Sequence, residues 1–402
     1  MTDTSGGPQI ERWPTSGAGG VVPAELFLDL AFVFCQGQIT RLMANDLHWL
    51  NLLRGLLMVM IIWTIWVGFT WIGNLMPDSL RPNVEQIGVF RILLVMTVAS
   101  LIVLGMAIPR GFGDDSWIFV GAFLSIALLA ALSFLYVTRT SRMMRTNFLK
   151  ILPIQLLLPA SLIASAIIDR VPWSPLLITA GLISALAANQ IAGHEERWKI
   201  NLEHADERFR LFMFIVLGET IIAIGFGASE SNFGLAVVGS VLCGVVFCTT
   251  LWWIYFGLVA FHGVRHLEAL NRRQRARATR WIYTYLHGVL VVITSFLAVG
   301  LEVAASHPLH TLDDQLAIIT PLSLSLFILT VFVIHYLLAG VTEWSLLIPA
   351  GLILFAIPLG QHIPAVLVQV ICAAVLLIFV LGREVMTQPG LLPAAERIWA
   401  RR

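Results

Sequence analysis

The sequence predicts an all-α polytopic membrane protein of about twelve transmembrane helices, and three observations predict it. Of 402 residues, 58% are hydrophobic and only 12% are charged, against about 25% charged in a soluble globular chain. The mean hydropathy is +0.86. Apolar runs long enough to cross a hydrocarbon layer of ~30 Å recur along most of the chain, separated by short polar turns.

The runs fall into two sets of six. The first occupies about 24–43, 50–75, 84–108, 116–138, 148–168 and 174–193. The second occupies about 207–228, 233–262, 278–305, 315–339, 344–361 and 363–386. The last two are the hardest to separate, because only Gln361, His362 and Pro364 lie between them. Residues 1–23 are rich in Gly, Ser, Thr and Pro and lack a basic n-region, so they predict a disordered cytoplasmic tail and no signal peptide. Residues 24–200 and 201–388 are then two six-helix bundles, and 389–402 a cytoplasmic C-terminal tail.

Loop charge orients the chain. With the N-terminus inside, twenty of the 25 Lys and Arg residues fall on the cytoplasmic side. Four, Arg41, Arg54, Arg110 and Arg170, fall opposite, and Arg91 is left within the membrane. That bias follows the positive-inside rule and predicts both termini in the cytoplasm. The basic run from Arg272 to Arg280 is explained first as part of this topology signal, with an anionic-lipid site as the alternative.

The halves also resemble each other weakly. Glu25-Leu-Phe-Leu-Asp-Leu-Ala-Phe aligns with Glu207-Arg-Phe-Arg-Leu-Phe-Met-Phe, Trp63 to Gly68 with Trp252 to Gly257, and Arg91-Ile-Leu-Leu-Val-Met-Thr with His287-Gly-Val-Leu-Val-Val-Ile. Six helices return the chain to the same side, so such halves are parallel repeats about an axis along the membrane normal.

A net charge of +1 gives no footing for nucleic acid. The four cysteines lie in apolar segments without CxxC spacing, and predict neither a metal site nor a disulfide framework. No nucleotide-binding, zincin or nucleophile-elbow motif is present, so no catalytic residue, metal or cofactor is expected. His287 and His335 lack the helix-mate spacing that axial haem ligation suggests.

The telling residues are charges set inside apolar helices. Glu219 sits within ERFRLFMFIVLGETIIAIGFG, roughly 18 Å along the helix from Glu207 and near the membrane midplane. An unpaired charge there costs about 2.5–3.5 kcal/mol by insertion scales, so it needs a basic partner, a water-filled cavity or a proton. Arg91 and His287 are its candidate partners at similar depth. Asp29 lies one turn deeper than Glu25 on the first helix and also needs a cation, for which Arg91 is the candidate. Asp29–Arg91 then serves either as a static packing pair or as part of a functional cluster of Glu219, Arg91, Asp29 and His287. Gln36 and Gln38 flank Gly37 and are expected to line the same cavity.

These segments carry a resemblance. Glu25-Leu-Phe-Leu-Asp-Leu-Ala-Phe-Val-Phe, Glu207-Arg-Phe and Leu217-Gly218-Glu219-Thr220 resemble the signature segments of the bacterial low-temperature-requirement A family, over about residues 20–385. The departures are Leu28, Arg210 and Thr220, where an aromatic, a small residue and Ser are usual. The resemblance implies a multi-pass protein of the bacterial inner membrane linked to growth in the cold, and supplies no reaction. It marks Glu25, Asp29, Glu207, Arg208, Gly218, Glu219 and Thr220 as motif positions. The acidic Phe-x-Asp of the first helix is also similar to the endolysosomal potassium-channel family, which is analogy at the level of fold.

The leading functional expectation is a secondary transporter or channel-like permease, coupled to protons or ions. Its partners are the lipid bilayer and a small ion or small solute. Two other classes remain: a non-transporting sensor or structural factor, which predicts a packed interior with every charge paired, and a lipid or redox membrane enzyme, which predicts a lateral opening.

Overall fold

The computed structural model describes residues 23–75, 88–113, 116–168, 171–191, 201–260 and 265–387. The expected N- and C-terminal tails lie outside the described residues, apart from Pro23. Among the described residues all regular structure is helical, save one isolated bridge between Thr311 and Pro364. Helices suit such a chain because they satisfy every backbone N–H and C=O internally, where no water can do so.

Helices α1 (Pro23–Asn45), α2 (Trp49–Asn74), α3 (Gly88–Ala107) and α4 (Ser116–Val137) fall where hydropathy places them. The fifth run is a broken rod, α5 (Arg142–Gln155) followed by α6 (Leu157–Ile168). Pro159 accounts for the break, since its ring collides with the carbonyl four residues earlier, that of Gln155. The sixth is α7 (Trp173–Ile191).

Helix α8 (Leu202–Ser229) begins five residues before its apolar run, because the Asn201 side chain caps it by accepting from the His204 N–H at 3.1 Å. Helix α9 (Leu235–Tyr255) continues into a π-helical turn, and two short basic helices follow, α10 (Arg265–Ala269) and α11 (Arg272–Thr279). A second π segment, Arg280–Leu286, carries α11 without interruption into α12 (His287–Ser306). Helix α13 (Asp314–Ala339) ends at Gly340, whose φ of 72° is the left-handed conformation that a helix stop commonly requires. The chain closes with α14 (Leu347–Leu354) and α15 (Ala365–Thr387).

Ten of these segments are long and apolar enough to cross a membrane. The two shorter apolar helices, α7 and α14, are the sixth and eleventh of the expected twelve.

Helix α1 packs against α2, α3, α8 and α12 and so lies at the centre. Contacts along its length give direction: Glu25 meets His204, Asp29 meets Arg208, and the Arg41 guanidinium lies 3.8 Å over the Phe226 ring. Helices α1 and α8 therefore run parallel and side by side. Helices α8 and α12 are also parallel, from Asp206 against Tyr283 at one end to Ser231 against Ser306 at the other.

Lipid-embedded helices gain little from burying apolar surface against each other, so close packing of small residues must hold them together. Gly227 of α8 shows this, since a Cβ there would fall on the Glu302 carbonyl of α12. Gly227→Ala is expected to cost about 1–3 kcal/mol through overpacking. Gly218→Ala, whose methyl meets nothing within 4 Å, should be neutral or stabilising by up to about 1 kcal/mol. Unfolding of the two variants in detergent measures the difference, and an equal loss in both would remove the close-approach argument.

Candidate functional site

Two short stretches at matching heights build the first part of the site. The four-residue spacing of Glu25 and Asp29 puts both acids on one face of α1, and the same spacing puts His204 and Arg208 on one face of α8. The start of α8 is tied to the end of α2, because Asn74 Nδ2 donates to the Asn201 carbonyl at 2.7 Å and Asn201 N–H donates to Asn74 Oδ1 at 3.1 Å. With the helices so registered, the pairs meet. His204 Nε2 lies 3.1 Å from Glu25 Oε2. The Arg208 guanidinium grips both Asp29 oxygens, with Nη2 donating to Oδ1 at 2.7 Å and Nη1 paired with Oδ2. Arg208 Nη2 also donates to the Glu25 carbonyl at 3.1 Å, and Trp66 Nε1 donates to Asp29 Oδ1 at 2.8 Å. Asp29 is 0% and Arg208 1% exposed. This is a fork-shaped, charge-assisted pair, the strong kind.

The expected Asp29–Arg91 contact does not form. Arg91 lies in the first turn of α3 as described and is exposed. A long basic side chain near a helix end reaches the interface more cheaply than it enters the interior, and Arg208 already occupies the acid.

His287 is likewise committed elsewhere. Its Nδ1 lies 2.8 Å from the Ile282 carbonyl, which only accepts, so the proton sits on Nδ1. Nε2 then accepts from the Tyr255 hydroxyl at 2.8 Å. Both ring nitrogens are satisfied, and the expected Glu219–His287 pair is absent. Beside it Tyr283 donates to Asp206 Oδ1 at 2.8 Å, and Arg210 Nη2 stands 3.1 Å from Asp206 Oδ2. Phe209 fills the space between, meeting Trp66 edge-on with centroids 4.9 Å apart.

Glu219 stands apart from all of this. It is eleven residues beyond Arg208 on α8, about 16 Å along the axis, so the four expected cluster residues do not form one site. Glu219 is 3% exposed, and its Oε2 has no hydrogen-bond partner. The Thr40 hydroxyl lies beside it, with Arg41 and Glu302 within electrostatic reach. A Cβ added to Gly37 would stand 3.7 Å from Glu219 Oε1, an ordinary contact distance, so α1 passes beside the carboxylate at this level. Between α1, α2, α8 and α12 lies a small void of about 10 Å3, lined by Glu219, Gln36, Trp63, Phe212, Val216 and Val291 among others. That is room for about one water.

Gln36 thus lines the space beside Glu219, and its amide donates to Ser295 Oγ, whose hydroxyl donates to the Val291 carbonyl at 2.7 Å. Gln38 is half-buried and is not among the residues lining the void. Thr220 is buried, its hydroxyl pointing back to the Val216 carbonyl, and Glu207 is half-buried near the start of α8. Sequence reasoning named Arg208 only as a motif position and passed over His204, Asp206, Tyr255, Tyr283, Thr40 and Ser295. The one signal available was the matched four-residue spacing of acids on α1 and bases on α8.

Comparison with known proteins adds a family and one relative. Residues 20–381 match the model of the family described as bacterial low temperature requirement A protein (LtrA). An uncharacterized protein of Rhizobium meliloti (strain 1021) is 27% identical over 295 residues, covering 71% of this chain and 69% of its own. No solved structure matches the chain significantly.

Proposed function

We propose, from the premise that this chain belongs to the bacterial low temperature requirement A family, that it is an ion- or proton-coupled permease of the inner membrane. Its apolar helices make it a multi-pass membrane protein. The single observation behind the permease reading is Glu219: a carboxylate with one oxygen unpartnered, closed off at the α1–α8–α12 interface beside a void the size of a water. Such a group tolerates a dry, closed site when protonated and demands water or a cation when charged. Opening the void would hydrate it, and closing would return the proton or release the ion. Asp29 and Arg208 act in this scheme as a fixed latch that holds α1 to α8 while the deeper contact changes.

Contacts at the two ends of the bundle support twelve passes. Helices α1 and α8 are parallel, so an odd number of crossings separates them. Helices α2, α3, α4 and the α5–α6 rod supply four, which leaves α7 as the fifth, with Ser174 beside Ser165 at one end and Leu186 beside Tyr285 at the other. The stretch around α14 runs from Glu343, near Arg383, to Pro364, beside Thr311, and so traverses the full height despite its short helix. Both termini then fall on one side, which the loop arginines favour as cytoplasmic.

A second reading has its own support. Glu25, Asp29, Asp206 and His287 all have partners, as a non-transporting structural factor or sensor would require. Flux in proteoliposomes separates the two. Glu219→Gln should abolish the pH dependence of ion flux while leaving the unfolding profile unchanged. Wild-type flux and pH response in that variant would remove Glu219 from the mechanism and favour the second reading.

A further inference from the structure

A cavity far larger than the void at Glu219 is a groove of about 590 Å3 between α2, α4, the α5–α6 rod, α7, α11 and the π segment Arg280–Leu286, within the roughly 300–1,000 Å3 range of ligand pockets. Leu128 and Leu156 on its rim are 61% and 53% exposed, so it opens sideways between α4 and the α5–α6 junction, toward the lipid. Its described lining includes no Asp, Glu, His or Cys, and apart from the tryptophan indoles its polar side chains are Thr64, Asn74, Gln155, Arg280 and Thr284.

One end differs from the rest. Arg280 and Ala276 line it there, beside Thr284, which accepts from the Trp71 indole N–H at 3.1 Å. Arg273, Ala276 and Arg277 are spaced i, i+3 and i+4 along α11, and Arg280 follows as the first residue of the π segment. Arg280 lines that end of the groove, and Arg273 and Arg277, both exposed, precede it on the helix whose Ala276 also lines it. An apolar trough with a guanidinium at one end and two more close by in sequence complements one kind of molecule: an amphiphile with an acyl chain and an anionic phosphate head. Arginine forks match phosphate oxygens, and a Trp at the same level suits the headgroup boundary.

We propose that this groove is a specific site for an anionic phospholipid, its acyl chain lying along α2, α4 and α5 and its phosphate held by Arg273, Arg277 and Arg280. The assignment is independent of the role given to Glu219. The same arginines that orient the chain in the membrane thereby also recognise a headgroup.

The test uses the full chain in proteoliposomes with photoreactive acyl-chain analogues of phosphatidylglycerol and of phosphatidylcholine. The phosphatidylglycerol probe should label residues 123–134 and 148–158 in preference to other lipid-facing segments and in preference to the zwitterionic probe. Exchanging the arginines for glutamine should lower that labelling by about fivefold for each, the contribution of a basic side chain near a membrane surface. Gly68→Phe provides a second variant, because Gly68 lines the groove and a Cβ there meets nothing within 4 Å. It should block labelling by both probes without lowering stability. Equal labelling by the two probes, or labelling that survives both the arginine exchange and Gly68→Phe, would reduce the groove to ordinary annular lipid contact and overturn the proposal.

Discussion

Arg208→Gln is expected to destabilise the folded chain by about 3–5 kcal/mol, the cost of stranding one member of a buried ion pair. Asp29 would keep the Trp66 indole but lose both guanidinium contacts, at a position 0% exposed with no route to water. Asp29→Asn should cost a similar amount, since it strands the buried Arg208 guanidinium, which cannot shed its charge. The double variant Asp29→Leu with Arg208→Met should recover much of the loss, because removing both charges also removes their desolvation cost. Arg91→Gln, at an exposed position on α3, should stay within about 0.5 kcal/mol of the parent. Denaturant unfolding of the four variants in detergent measures the series. If Arg91→Gln proved as damaging as Arg208→Gln, the pairing described here would be wrong.

That contrast also shows how far the sequence could be read. Hydropathy located the ten described helices that are long and apolar enough to cross a membrane, because at this composition an apolar run of that length reads plainly. It also ranked Asp29 and Glu219 as the charges in need of an account. It misassigned the partner because depth along a helix is legible in a sequence, whereas which neighbour that helix faces is not. Arg91 had the right depth on a helix turned outward. The likeness between the halves drew attention to Glu25 and Glu207 as equivalent positions, whereas contact between the helices joins Glu25 to His204 and Asp29 to Arg208, two acids facing two bases at the same four-residue spacing. His287 failed as a partner for a related reason: its depth was legible, but Tyr255, which claims Nε2, sits on a different helix. Glu219 was singled out together with Gln36, which lines the void beside it, but the rest of that lining was not, because Phe212, Trp63 and Val291 read as ordinary packing.

Trp63→Ala is expected to have the second large effect, in two measurable ways. The indole is 2% exposed and donates to the Thr284 carbonyl at 2.9 Å. It stacks on Trp66 with centroids 5.2 Å apart, and it packs against Gly288 so closely that a Cβ there would overlap the ring. Truncation should therefore cost about 3–5 kcal/mol. More informative is where Trp63 stands, since it lines both the small void beside Glu219 and the lateral groove. Its side chain belongs to both linings. Removing it should join the two spaces and admit a hydrophobic carbodiimide from the lipid to the Glu219 carboxyl, giving a covalent adduct that peptide mass spectrometry locates. Trp63→Phe, which keeps most of the ring and loses the N–H, should leave Glu219 protected and so separates blockage from the lost hydrogen bond. If Glu219 reacts no faster in Trp63→Ala than in the parent, the groove and the void are not neighbours across one side chain. Access to Glu219 would then have to come from the opposite end of α8, past Arg41.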